Sequence, residues 1–369
     1  MTTRVVERDP LPGDDATDPQ AWQGRVVNAV CALPRIGGRL LERVELVMDG
    51  SSTAISGPGT QIRRVLGVGA VAAATVMSAK AFMDGAAPGP AHVVILILAV
   101  TLLSNRFGSF LRDWCPVAIL FAAYGAAFGL VHGLSLDVWY SPQIWADKVI
   151  GLGELPTMRL QGWFDAGHNH PLAVISALGY LSHFIIPPIF GFYLWWTRRA
   201  QGFREYMYSL IAVNLLASVP WVLTPTAPPW LAAKDGLISA PVDVIRMGLQ
   251  DLGFTQLVAF KDSNTYLIAA ALPSIHASWP FLGMLVARKH RLPATVVTAV
   301  AIQLAIVWFV IVYTGEHYVI DIAFGVLFSL AAWRLAQWFV RRGTANAPQM
   351  LEPARRVCEP QPLAGASGR

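Results

Sequence analysis

Apolar residues gather into long runs, at about 63–83, 88–105, 114–134, 170–197, 206–224, 273–288, 293–313 and 316–340. Most approach the roughly 20 residues that a helix needs to cross the hydrocarbon layer. The run at 273–288 is shorter and begins inside a polar loop. The pattern predicts an all-α, polytopic membrane bundle of about eight transmembrane helices. It places an integral membrane domain over 61–342, between a cytoplasmic N-terminal tail at 1–60 and a disordered cytoplasmic C-terminal tail at 343–369. In the first tail, Val26, Val30, Leu33, Leu40, Leu41 and Val44 interleave with Arg25, Arg35, Arg39 and Arg43. That spacing fits an amphipathic helix on the membrane surface or one packed on the body, and Pro34 and Gly37-Gly38 weaken both. The connection 135–169 is too polar to span and too apolar to be simply disordered. Its Trp139, Tyr140, Ile144, Trp145, Ile150, Leu152, Trp163 and Phe164 predict segments lying in the interface, where aromatic rings are favoured.

Composition agrees with the pattern. Only 14% of residues are charged, against about a quarter in soluble domains, and mean hydropathy is +0.48. The net charge of +5 does not point to nucleic acid, because the basic residues fall between apolar runs. Arg63 and Arg64, Arg106 and Arg112, Arg198, Arg199 and Arg204, Arg288, Lys289 and Arg291, and Arg341 and Arg342 all lie on one side of an eight-helix arrangement. By the positive-inside rule that side is cytoplasmic, with both termini. The polar stretches around 270–278 and 313–321 then meet at the opposite, extracytoplasmic face of a cell membrane. Cys31, Cys115 and Cys358 are too few and scattered for a disulfide framework or metal site. No cleavable signal is expected, since the first long apolar run begins near Arg64.

Those two stretches carry the chemistry. Tyr313-Thr314-Gly315-Glu316-His317-Tyr318-Val319-Ile320-Asp321 sets a histidine and a carboxylate at i, i+4, on one face if Glu316 onward is helical. A carboxylate there orients an imidazole and stabilises its cation, as a nucleophilic histidine requires. Ala270-Ala271-Leu272-Pro273-Ser274-Ile275-His276-Ala277-Ser278 offers a second histidine, a serine and N–H groups at a helix start, where phosphate oxygens are favoured. An oriented nucleophile beside an acid and anion donors suits phosphoryl transfer. Ser274 also fits an N-cap, a compatible role. His183, midway along an apolar run before Pro187-Pro188, fits a pocket residue or a structural hydrogen bond. Asp165, His168 and His170 cluster at the outer mouth of that run; one carboxylate and two histidines in a loop are weak evidence for a metal site, and the cluster better fits the interface or contact with a polar headgroup.

Pro273-Ser274-Ile275-His276 followed by His317-Tyr318-Val319-Ile320-Asp321, each at the start of an apolar segment, resembles the type 2 phosphatidic acid phosphatase superfamily. The fuller strings Leu272-Pro273-Ser274-Ile275-His276-Ala277 and Glu316-His317-Tyr318-Val319-Ile320-Asp321 are most similar to its inositolphosphotransferase branch, typified by fungal inositolphosphorylceramide synthase. Thr224-Pro225-Thr226-Ala227-Pro228-Pro229-Trp230 and Ser182-His183-Phe184-Ile185-Ile186-Pro187 support that branch. The resemblance covers roughly Asp165 to Leu335. It implies a six-helix phosphatase-like core and a phosphohistidine on His317, with Asp321 as orienting partner and His276 as general acid. No cofactor and no metal are implied. The partners would be a lipid phosphate or phospholipid donor, an alcohol or water acceptor, and the membrane.

The chain also departs from the wider superfamily. A Lys-x6-Arg-Pro string is absent, and the position six residues before His317, usually arginine, is Ile311. Phosphate charge must then meet other donors, and the outer basic residues are Lys148, Arg159, Lys234, Arg246 and Lys261. Lys261 and Arg246 lie nearest the first histidine motif and are the preferred candidates, beside Ser274 and His183. The Thr224–Trp230 stretch is expected to be a rigid, non-helical loop, with Trp230 placed to stack on a substrate ring or to sit in the interface. A lipid phosphotransferase is the leading expectation. A lipid phosphate phosphatase of the phosphatidate or prenyl phosphate type shares its first step. A membrane transporter or an inactive scaffold is the non-enzymatic alternative.

Overall fold

The computed structural model describes residues 58–84, 90–132, 137–263 and 270–358. The expected amphipathic helix at 22–48 lies outside the described residues. The chain divides into two compact units, Met1–Gly69 with Leu98–Ala118, and Ala70–Ile97 with Ile119–Arg369. Three helices open the described chain: α1 (Pro58–Met83), α2 (Pro90–Leu103) and α3 (Phe107–His132). In the first unit α1 exposes Val65, Leu66 and Val68, a surface suited to lipid. There too, Phe110 stacks on Trp114 with ring centroids 5.3 Å apart.

The second unit contains the site. Two short helices, α4 (Ser141–Ile150) and α5 (Pro156–Trp163), precede the long α6 (His170–Trp196) and α7 (Ala200–Leu223). The connection after α7 holds α8 (Pro229–Lys234), α9 (Val244–Asp251) and α10 (Thr255–Ser263). The chain then forms α11 (Ile275–Lys289), α12 (Ala294–Tyr313) and α13 (Val319–Cys358). Among the described residues no strand forms, only isolated bridges from Trp139 to Thr226 and from Thr226 to Ala270. The architecture is an all-helical, polytopic bundle.

Gln61–Ala81 and the segments of α6, α7, α12 and α13 to Arg342 are each long and apolar enough to cross a membrane, five among the described residues. The run at 273–288 forms α11, whose 15 residues make about 22 Å of helix. It does not need full length, because it is the central helix and packs against α6, α7, α12 and α13. Its Ala277, with Val307, Ile311, Val312 and Ile322, forms a buried cluster beneath the two histidine motifs.

Two expectations need correction. The Thr224–Trp230 stretch is extended only to Pro228, since Pro229 opens α8 at a first-turn position, where a missing N–H costs nothing. Helix also replaces the disordered chain expected beyond Arg342: α13 continues to Cys358, where the helix formers Ala, Gln, Met, Leu, Glu and Arg outnumber Gly343, Pro348 and Pro353.

The helices alternate in direction, so the bundle has two unlike ends. At one end Glu205, 1% exposed, accepts from Lys289 Nζ at 2.7 and 2.9 Å and lies 3.0 Å from His290 Nε2. Arg199 donates to His290 O there at 3.2 Å. At the other end the loops after α7, before α11 and between α12 and α13 come together. The basic end and the histidine end are therefore separated by the length of α11.

Candidate active site

Each histidine is placed by a helix boundary. Ser274 precedes α11, is fully buried, and its Oγ accepts the Ala277 N–H at 3.2 Å. That cap starts the helix and puts His276 in its first turn. The other boundary is the α12–α13 turn. Gly315 takes φ of 74°, in the left-handed region that a glycine adopts without steric cost, and ends α12. His317 N–H then donates back to Ile311 O at 2.9 Å.

His317 lies outside α13, which begins only at Val319. The expected one-face helical pairing is thus replaced by a cap geometry. Asp321, in the first turn of α13, accepts the Tyr318 N–H through Oδ2 at 2.9 Å, as a third-position acid does in a capping box. The same Oδ2 lies 3.3 Å from His317 Nδ1. Placing the proton on Nδ1 for that contact leaves Nε2 with its lone pair. Nε2 lies 3.1 Å from His276 Nδ1. Asp321, His317 and His276 therefore form one continuous line of polar contacts, with His317 5% and Asp321 0% exposed.

His183 joins this group from α6. Its ring, 2% exposed, lies 4.4 Å from that of His276 and stacks on Trp279 at 4.7 Å. Tyr180 stacks on His276 at 5.0 Å. His183 thus backs His276 within an aromatic layer. The remaining candidates stand differently. Ser274 is committed to the α11 cap, and its N–H donates to Asp321 O at 3.1 Å. Arg246 is exposed on α9, whose Val244, Ile245 and Leu249 are buried on the other face. Lys261 belongs to α10, but its side chain lies outside the described residues. The structure so brings together His183, His276, His317 and Asp321, with Ser274 behind them.

The proline-rich stretch has a clear structural task. Thr226 is 3% exposed; its O accepts Ala271 N–H at 3.1 Å and its Oγ1 accepts Leu272 N–H at 2.9 Å. A few residues on, Trp230 N–H donates to Gly315 O at 3.2 Å. One strap therefore holds both histidine loops. Close packing also joins them: a Cβ on Gly325 would lie 2.6 Å from Ser274 O, so α13 approaches the start of α11 only because that residue is glycine.

Sequence reasoning missed the residues under the α12–α13 turn. Asp147 of α4 is fully buried and accepts the N–H groups of Val319 at 2.9 Å and Ile320 at 3.0 Å. Thr157 and Gln161 of α5 donate to Val312 O and Tyr313 O at 2.8 and 2.9 Å. No local pattern announces these long-range contacts. Among the described residues no cluster of three or more His, Cys, Asp or Glu side chains could hold a metal ion. Asp165 and His168 instead pair with each other at 3.0 Å in an exposed turn, which holds the His168 pKa up. His170 pairs with Asp251 at 2.8 Å.

The three histidines and Asp321 thus meet where the loops join the apolar helices of the bundle. The profile of the PAP2 superfamily matches residues 152–335, which contain every histidine of the line. The chain belongs to that superfamily and is an integral, multi-pass membrane protein. It is similar to the phosphoinositol dihydroceramide synthase of Bacteroides thetaiotaomicron, with 25% identity over 176 residues. That match covers 46% of this chain and 57% of the relative, so the chain spans little more than half of the relative's length. No solved structure matches the chain.

Proposed function

We propose that the protein is a lipid phosphotransferase that moves a phosphorylated headgroup, of the phosphoinositol type, from a phospholipid to an alcohol lipid. The observation that carries this is the Asp321–His317–His276 line, with successive contacts of 3.3 and 3.1 Å. Superfamily membership and the name of the Bacteroides relative support the substrate class. The extracytoplasmic face is the reading that best fits the basic residues flanking the apolar runs; within the second unit Arg199, Lys289 and His290 gather at the end of α11 away from His276.

His317 Nε2 attacks the donor phosphorus; the Nε2–P bond forms and the bond from phosphorus to the departing alkoxide breaks. In-line displacement puts that oxygen on the far side of phosphorus. His276 therefore exchanges its contact with Nε2 for one with the leaving oxygen and gives it a proton. In the second half the acceptor hydroxyl loses its proton to His276 as its oxygen joins phosphorus and the Nε2–P bond breaks. Asp321 stabilises the imidazolium character of His317 throughout. The Ala277 N–H is committed to Ser274 Oγ, so it is the N–H groups before it in α11, with the helix dipole behind them, that meet developing negative charge on the phosphoryl oxygens.

The test is lipid mass spectrometry after incubating the protein, in nanodiscs, with phosphatidylinositol, phosphatidic acid and an alcohol lipid, beside His317→Ala. A new phosphodiester lipid made only by the wild type is expected. Dephosphorylated lipid without that product would make water the acceptor and the protein a phosphatase. No difference from His317→Ala would overturn the enzyme reading and favour a scaffold.

A further inference from the structure

Helices α4 and α5 are turned inside out. Their polar Gln143, Asp147, Thr157 and Gln161 are buried, while Trp145 is 70%, Val149 57% and Trp163 72% exposed. The outward side chains suit a membrane interface. The inward ones are used largely on one feature, the turn carrying His317. Thr157 and Gln161 meet the last carbonyls of α12, and Asp147 meets the first N–H groups of α13.

A helix leaves its first four N–H groups without intrahelical partners, and a Ser, Thr, Asp or Asn just before it usually supplies an acceptor. The residue before α13 is Tyr318, which has no such short acceptor. Asp321 takes the Tyr318 N–H, and Asp147, 172 residues before Val319, supplies both oxygens for the next two. A cap supplied from so far away fixes the turn to α4 rather than merely ending a helix.

We propose that α4–α5 is a clamp that positions His317, with Asp147 as the residue that fixes the start of α13 and so the line from Asp321 through His317 to His276. The proposal rests on the reading of His317 as the nucleophile. A displacement of about 1 Å at a reacting group can cost about a hundredfold in rate, so a clamp of this kind acts on turnover rather than on lipid affinity.

The groups around Asp147 set its pH response. Asp321 and Tyr318 face it from the α13 side, and from α5 Arg159 is held by Glu154 and by Gly151 O. Burial first, and the charge of Asp321 in addition, push the Asp147 carboxyl up to about 6, against the bonds from Val319 and Ile320. The charged cap is lost as pH falls through that value.

The test compares wild type, Asp147→Asn and the exposed neighbour Val149→Ala in nanodiscs. It reads amide exchange over residues 316–322 and the amplitude and rate constant of a single turnover with phosphatidylinositol and an alcohol lipid. In Asp147→Asn, exchange at the start of α13 should rise, and the rate constant should fall about tenfold to a hundredfold at unchanged amplitude and KM. The acid limb that Asp147 contributes near pH 6 should disappear, while Val149→Ala matches wild type. If Asp147→Asn does not fold, Thr157→Val opens the α12 side of the clamp and should give the same slower rate constant at retained amplitude. Unchanged exchange would overturn the cap. Faster exchange with a rate constant within about twofold of wild type, or lost amplitude at an unchanged rate constant, would overturn positioning. A wild type without turnover, with exchange still faster in the variant, would remove the nucleophile reading and leave Asp147 a structural cap only.

Discussion

The carboxylate of Asp321 does two things with one oxygen, accepting the Tyr318 N–H and facing His317 Nδ1. Their i, i+4 spacing was legible in the sequence, but the reason for their contact was not. Helical periodicity predicts a shared face; the chain instead uses a cap, which holds the imidazole just outside the helix. Nucleophile and orienting partner act as a unit. His317→Ala should abolish transfer, and Asp321→Asn should lower kcat by about a hundredfold or more, as loss of a positioned catalytic group does. His183→Ala, which removes a ring packed behind His276, should cost less than either in the same lipid assay. The acid side of the pH profile belongs to this scale too. Asp147 is raised from an ordinary 3.8 to about 6, so the folded protein binds its proton more readily than the unfolded chain. Its linkage therefore favours the folded state as pH falls from about 6 towards 3.8. Activity should decline across pH 6 without a matching fall in Tm, a divergence that parallel rate and melting measurements would reveal.

Elements explain why four distant stretches were recognisable only in part. Pro273-Ser274 marked a helix start, and the proline-rich string marked a rigid loop, because both signals are local. That Thr226 and Trp230 strap the two histidine loops together depends on backbone bonds to Ala271, Leu272 and Gly315, which no local spacing encodes. Asp147 was invisible for the same reason: an acid in an amphipathic loop segment reads as solvated until its partners at Val319 and Ile320 are known. Gly325 tests the packing directly. Gly325→Ala brings a methyl group to 2.6 Å from Ser274 O, so α13 must move from the start of α11. We expect lower kcat with modest loss of Tm, whereas Gly162→Ala, at a position with open space around it, should leave kcat unchanged.

At the scale of the molecule, the run pattern foretold an all-helical membrane bundle, and the structure adds the reason why a short run at 273–288 belongs in it. α11 is enclosed by four helices, with the site at its first turn and the Glu205 cluster at its last. Removing Lys289 leaves a nearly buried carboxylate with weaker compensation, which is costly in an apolar bundle. Lys289→Ala should lower Tm by several degrees while the turnover of the remaining folded protein stays near wild type, since the change lies at the far end of α11. Because the proposed chemistry runs through imidazoles and N–H groups, chelation should leave transfer intact; loss on chelation, restored by one divalent ion, would contradict it.

The most direct measurement is capture of the covalent intermediate. Wild type and His276→Ala would be mixed with phosphatidylinositol in nanodiscs without acceptor, quenched at neutral to alkaline pH, digested and read by mass spectrometry. The account predicts an acid-labile phosphoryl adduct on the peptide containing His317, absent from His317→Ala and consumed when an alcohol lipid is added to wild type. Transfer in wild type with no adduct on His317, or an adduct on another residue that persists in His317→Ala, would contradict it.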